Sequence, residues 1–210
     1  MLWVFDWDGT LMNSTAKIVD AMMLAINELQ MPPLEPEAIK SIIGLALPEA
    51  IEQLYPDSSD VDIQALIMAY RNAFVALDRQ PCQLFPFVSE VLVELRGRGD
   101  ALAVATSKSR VGLSRGLSAL GWEEFFDASR CADETRSKPH PQMLLEIMQE
   151  LNVSPAAAVM VGDTSYDMEM AHRAAVTPVA VTYGAHSQEG LLRSNPVAVI
   201  DDFTQLLSLG

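Results

Sequence analysis

Near the N-terminus, Asp6-Trp7-Asp8-Gly9-Thr10 sets two carboxylates two positions apart and follows them with a glycine and a hydroxyl. Further along stand Thr106-Ser107, Lys138, and Gly162-Asp163, with Asp167 four residues beyond Asp163. Carboxylates crowded together raise each other's pKa unless a cation lies between them. If Asp6, Asp8, Asp163 and Asp167 converge, they call for such a cation. A donor set of oxygens without His or Cys suits a hard ion. Mg²⁺ needs only a few carboxylates plus a substrate phosphate, and the chain has no EF-hand loop that would favour calcium.

Phosphoryl transfer accounts for the remaining residues. A carboxylate can attack phosphorus and form an aspartyl-phosphate. Asp6 is the candidate nucleophile. Asp8 is the candidate acid that protonates the departing alcohol and later activates water. Gly9 lets the backbone bend close to a phosphate, so that main-chain N–H groups can donate. Lys138 and the Thr106 hydroxyl suit the equatorial oxygens, where transition-state charge is spread. Asp167, a helical turn past Asp163, is placed to hold Lys138 or a metal-bound water. Taken singly, Asp-Gly-Thr is a common turn, Thr106 and Asp163 are helix caps, and Lys138 is a solvated lysine. The four fixed letters of D-x-D-G-T arise by chance in about one chain of this length in a thousand.

These residues need a scaffold that brings them together. Apolar runs at 2–5, 101–105, 157–161, 178–182 and 197–200 read as buried strands. Helical periodicity marks 14–29, 37–43, 48–54, 63–77, 88–96, 111–120, 143–151 and 168–175, with a last short helix to Leu209. Strand–helix alternation with continuous apolar strands predicts an α/β Rossmann-like parallel sheet with helices on both faces. The core comprises 1–13 and 84–210, and an all-helical insertion, 14–83, follows the first strand. Asp6, Thr106 and Asp163 then fall at the C-terminal ends of strands, where open parallel sheets bind ligands.

Composition narrows the function. Half of the 210 residues are apolar and a fifth are charged, which excludes disorder as the main state. No apolar run approaches the roughly 20 residues of a spanning helix. The net charge of −14 argues against nucleic acid and anionic membranes as partners. The first ten residues hold two aspartates and no basic stretch, unlike a secretory signal. Cys82 and Cys131 form no disulfide framework and have no metal spacing. A cytoplasmic location, two buried thiols, and a monomer or weak homodimer are expected. The stripe Met22, Met23, Ile26 is expected inside the helical insertion.

The motifs resemble those of the haloacid dehalogenase-like hydrolases, in the subgroup with a helical cap after the first strand. Asp6-Trp7-Asp8-Gly9-Thr10-Leu11 is similar to the first motif and Thr106-Ser107-Lys108 to the second. Lys138-Pro139 is similar to the third, and Gly162-Asp163-Thr164-Ser165-Tyr166-Asp167 to the fourth. The texture is that of phosphoglycolate phosphatase-like members, with Ser14, Gly44 in the cap and Thr182-Tyr183-Gly184. The resemblance implies a Mg²⁺-dependent phosphatase acting on a phosphorylated small molecule. In it Asp6 is nucleophile and metal ligand, and Asp8 is acid/base with its main-chain carbonyl on the metal. Asp163 is a metal ligand, and Thr106, Ser107 and Lys138 bind phosphate. Asn13, Phe87 and Val176 depart from the pattern, the last two where glycine is usual. The cap loop Gly44-Leu45-Ala46-Leu47-Pro48 lacks the arginine of β-phosphoglucomutase-like members. The substrate is left open among phosphoglycolate, a sugar phosphate and a nucleotide monophosphate. The alternatives are a phosphotransferase or phosphomutase of the same superfamily and a non-catalytic binding module.

The cap carries Lys17, Lys40, Arg71 and Arg79 against ten acids. Lys17 or Arg71 is a candidate for an anionic substrate tail, although solvated faces explain both. Six of the fourteen cations lie between Lys108 and Lys138 and are expected to offset repulsion between the acidic protein and a phosphate.

Overall fold

The computed structural model describes residues 1–77 and 82–209. Arg79 lies outside the described residues. The chain runs through β1 (Leu2–Phe5), α1 (Thr15–Glu28), α2 (Pro36–Ser41), α3 (Leu47–Leu54) and α4 (Asp60–Leu77). It continues through α5 (Val88–Gly97), β2 (Ala101–Thr106), α6 (Arg110–Leu120), β3 (Ala128–Cys131) and α7 (Gln142–Glu150). It ends with β4 (Ala158–Gly162), α8 (Ser165–Arg173), β5 (Thr177–Val181), α9 (Gln188–Arg193), β6 (Ala198–Ile200) and a 3-10 turn at Phe203–Ser208.

The strands form one parallel sheet in the order β3-β2-β1-β4-β5-β6. β1 shows why they read as unbroken apolar runs. Trp3 and Phe5 pack on one face with Val91, Leu92 and Leu113. Leu2 and Val4 pack on the other with Ile147 and Met170. Both faces are covered, so no position in β1 can be polar. The strand order reverses between β1 and β4, where crossovers leave on opposite sides and open a crevice at the C-terminal edge.

The helices α1 to α4 enclose an apolar core of their own. Val19, Met22, Ala25 and Ile26, spaced to share one face of α1, meet Ile63, Leu66 and Ile67 of α4. Met23 is the exception to the expected stripe. It follows Met22 by about 100° of helix rotation and is 42% exposed. Among the described residues, no helix is long and apolar enough to cross a membrane.

Two of these elements, one strand and one α-helix, were not expected from the sequence. β3 is Ala-Ser-Arg-Cys, an edge strand hydrogen-bonded only to β2, and it lacks the apolar run that marks a central strand. α9 is six residues long and buries only Leu191. Its N-cap Ser187 accepts a hydrogen bond from Gly190 N–H. Of the two positions where glycine is usual, Phe87 is in the left-handed region, and at the other it is the preceding residue that is. Phe87 has φ +63°, and Ala175, directly before Val176, has φ +55°. Both lie in the left-handed region, where a side chain costs about 1–2 kcal/mol.

The thiols differ. Cys131 is buried and Cys82 is half-buried, which corrects the expectation of two buried thiols. Burial pushes the Cys131 thiol up to about 12, well away from thiolate reactivity.

Candidate active site

Asp6 directly follows β1, Thr106 ends β2, and Asp163 directly follows β4, so parallel neighbours deliver all three to one edge. Asp6 is held by its backbone, whose N–H donates to Val161 O at 2.9 Å. Lys138 enters from the loop between β3 and α7 and is fully buried. Its Nζ lies 2.7 Å from Asp6 Oδ1 and 2.7 Å from Asp167 Oδ1. Asp167 therefore holds Lys138, one of its two expected roles. Its other oxygen, Oδ2, accepts from Thr164 N–H at 3.1 Å and Thr164 Oγ1 at 2.7 Å.

Thr164 is the N-cap of α8, and its hydroxyl accepts from Asp167 N–H in a reciprocal capping box. The helix start thus fixes the carboxylate that fixes the lysine. Asp163 is therefore not the cap it would be if taken singly. Asp163 instead accepts from Thr10 Oγ1 at 2.9 Å and from Ala185 N–H at 2.7 Å. Thr106 is not a cap either. α6 is capped by Ser109, and Thr106 Oγ1 accepts from Lys108 N–H at 3.1 Å.

Two glycines make room for Asp163. A Cβ on Gly9 or on Gly184 would lie 2.2 Å from Asp163 Oδ2. Gly9 also has φ +87°, so glycine is needed there twice over.

Asp8 stands apart from this cluster. Its carboxylate accepts from Ser14 Oγ at 2.7 Å and pairs with Lys108 Nζ at 2.8 Å. Lys108 was read only as part of the second motif; its position right after Thr106-Ser107 was the available signal. Ser107 turns the other way, and its hydroxyl donates to Gly44 O of the cap at 2.5 Å. A second tie joins core to cap where Tyr166 Oη donates to Ser41 O at 3.2 Å. His186 Nε2 lies 3.2 Å from the same carbonyl, while His186 Nδ1 accepts from Ser165 N–H. Nothing in the spacing of Tyr166 and His186 marked this contact.

The expected basic cluster is dispersed. Arg110 pairs with Glu134, and Arg130 pairs with Glu146 and Glu150, on the surface. Lys108 and Lys138 reach the site, and Arg115 lines the adjoining cavity. Arg71 also lines that cavity; Lys17 is not among its lining residues.

Asp6, Asp163 and Asp167 each offer an oxygen within 4.8 Å of the others. Burial raises Asp6 well above the usual carboxylate range; Lys138 opposes that, and the Asp167 and Asp163 charges reinforce it. Burial, then the Asp167 charge, pushes Asp163 up to about 7. Burial alone would lower the Lys138 ammonium, but Asp167 and Asp6 together hold it above its ordinary value. One lysine thus faces three buried carboxylates. The excess negative charge and the all-oxygen donors fit a hard divalent cation such as Mg²⁺.

A cavity of about 610 Å³ opens from this cluster to the cap, with Asp6, Asp8, Thr106 and Lys108 in its lining. Carboxylates and a lysine at strand tips, beneath a helical insertion after β1, define a class of hydrolase. The chain belongs to the haloacid dehalogenase-like hydrolase family, whose profile matches residues 3–181. It is 36% identical to "Probable phosphatase IndB" of Dickeya dadantii, over 98% of this chain and 91% of that one. It is 27% identical to a phosphoglycolate phosphatase of Psychrobacter arcticus, over 98% and 94%. In fold it is similar to the crystal structure of a hydrolase from Pseudomonas syringae, with TM-score 0.91 and 24% identity, covering 100% and 96% of the two chains.

Proposed function

We propose that the protein is a Mg²⁺-dependent phosphatase that hydrolyses small-molecule phosphate monoesters through an aspartyl-phosphate on Asp6. The observation that carries this reading is the Asp6 carboxylate. It is buried beside the Lys138 ammonium at 2.7 Å and lines the large cavity. Relatives named as phosphatases support it.

Asp6 and Asp163 are the side chains that would hold Mg²⁺, with the Asp8 main-chain carbonyl. Bound there, the ion would neutralise phosphate oxygens and let the carboxylates stay ionised. Lys138 favours the ionised, nucleophilic form of Asp6 against the burial that raises it, and a bound cation would act in the same direction. An Asp6 oxygen attacks phosphorus, the ester P–O bond breaks, and Asp8 gives its proton to the leaving alcohol oxygen. In the second half Asp8 takes a proton from water, water oxygen attacks phosphorus, and the bond to Asp6 breaks. Ser14 and Lys108 hold the Asp8 side chain for both transfers. Thr106 and Lys138 stabilise the equatorial oxygens.

The test is phosphate release from an aryl phosphate with Mg²⁺ present. Asp6→Asn should be inactive, and acid quenching of the wild type with ³²P-labelled substrate should trap label on Asp6. Release unchanged in Asp6→Asn overturns the mechanism. The intact Asp6 and Asp8 pair stands against a non-catalytic module.

A further inference from the structure

The cavity beneath the cap is far larger than a two-carbon leaving group needs. At about 610 Å³ it falls within the range of pockets that enclose whole drug-sized ligands. Its cap side is largely apolar, with Ile18 and Met22 of α1, Ile43, Leu47 at the start of α3, and Tyr70 and Phe74 of α4, alongside the charged Glu49 and Arg71. Tyr70 and Phe74 are one helical turn apart, with ring centroids separated by 6.0 Å. Lys108 Nζ, which holds the Asp8 carboxylate, lies 4.8 Å from the centroid of the Phe74 ring. The Phe74 ring therefore stands next to the group that would protonate the departing oxygen, with Lys108 over its face and Arg115 Cζ 6.0 Å from its centroid.

A carboxylate seated against Ile18, Met22, Tyr70 and Phe74 would lose its hydration without gaining a charged partner among them, and Lys108 is already paired with Asp8.

We infer that the substrate's leaving group is a bulky, uncharged alcohol bearing a ring, held by the apolar cap wall against Tyr70 and Phe74. A short carboxylated ester such as phosphoglycolate is then a poor substrate. This rests on the phosphatase reading above and specifies the substrate class of the same site.

Benzyl phosphate and phosphoglycolate test it, because their alcohols are of similar basicity and intrinsic reactivity does not decide the comparison. With Mg²⁺, kcat/KM for benzyl phosphate should exceed that for phosphoglycolate by at least about tenfold. Phe74→Leu, which keeps an apolar side chain but removes the ring, should narrow that ratio, chiefly through KM for benzyl phosphate. Independently of turnover, calorimetry on Asp6→Asn should show tighter binding of benzylphosphonate than of methylphosphonate. Phosphoglycolate turned over as well as benzyl phosphate, or equal binding of the two phosphonates, overturns the inference and leaves the phosphatase reading standing. An unchanged ratio in folded Phe74→Leu overturns the placement against Phe74. No phosphate released from either ester overturns both readings.

Discussion

Lys138 Nζ lies 2.7 Å from Asp167 Oδ1, and neither side chain has any solvent-accessible surface. The same ammonium is 2.7 Å from Asp6. Two buried carboxylates thus share one cation inside the protein. The Lys138 ammonium opposes the burial that raises the Asp6 carboxyl, and this makes the lysine costly to lose.

Lys138→Met should remove about 3–5 kcal/mol of stability in metal-free buffer, since it leaves buried carboxylates uncompensated. Urea denaturation measures this. Adding Asp167→Asn should recover part of the loss, because one of the stranded charges goes with it. A single variant as stable as the wild type would show that the ion pair does not compensate these charges. Phosphate release should fall by at least about 100-fold in Lys138→Met.

The protein without metal should respond to pH through Asp163. Its carboxyl is pushed up to about 7 by burial and the Asp167 charge, above its unfolded value. Its contribution is therefore fully present below the unfolded pKa and is lost as pH rises through about 7. Cation binding must displace that proton. The rise in Tm on adding Mg²⁺ should accordingly be larger at about pH 8 than at about pH 5. Taking the difference with and without Mg²⁺ cancels opposing surface groups, such as Glu134, which Arg110 holds below its usual range. A metal-induced rise in Tm that is flat with pH would contradict this.

Gly184→Ala should weaken Mg²⁺ binding more than it weakens the fold. The new Cβ would lie 2.2 Å from Asp163 Oδ2 and 2.3 Å from Asp163 Cβ, so the side chain cannot evade it by rotating. Asp163 must shift from its present position. Calorimetry should show at least about tenfold weaker Mg²⁺ binding. Unchanged affinity would mean that Asp163 is not a ligand.

Ala175→Gly should stabilise the protein. Ala175 is exposed and has φ +55°, so glycine relieves the left-handed strain and loses almost no packing. The relief of about 1–2 kcal/mol exceeds the extra backbone entropy of about 0.5–1 kcal/mol. Tm should rise by about 2 °C in a thermal scan.

The order of motifs and the apolar runs were enough to read the parallel α/β sheet. Trp3, Val4, Phe5 and their counterparts in β2 and β4 are apolar at every position, since each face is covered. β3 and α9 escaped because one is a short polar edge strand and the other is a single turn and a half with one buried leucine. A sequence pattern records burial, and elements that bury little leave little pattern.

The linear order of residues was sufficient to name Asp6, Asp8, Thr106, Lys138, Asp163 and Asp167 as one chemical set, since few other arrangements explain so many charges at strand ends. It could not say which partner each would take. That Asp167 holds Lys138 while Asp163 takes Thr10 and Ala185 depends on where α8 begins relative to β1. That Ser107 turns to the cap and Lys108 to Asp8 depends on how α4 and the loop at Gly44 dock on the sheet edge. Spacing along a chain specifies which side chains share an edge, whereas pairing among them is set by contacts between separate segments, from 22 residues apart for Asp163 and Ala185 to 153 for Thr10 and Asp163, fixed when the layers pack.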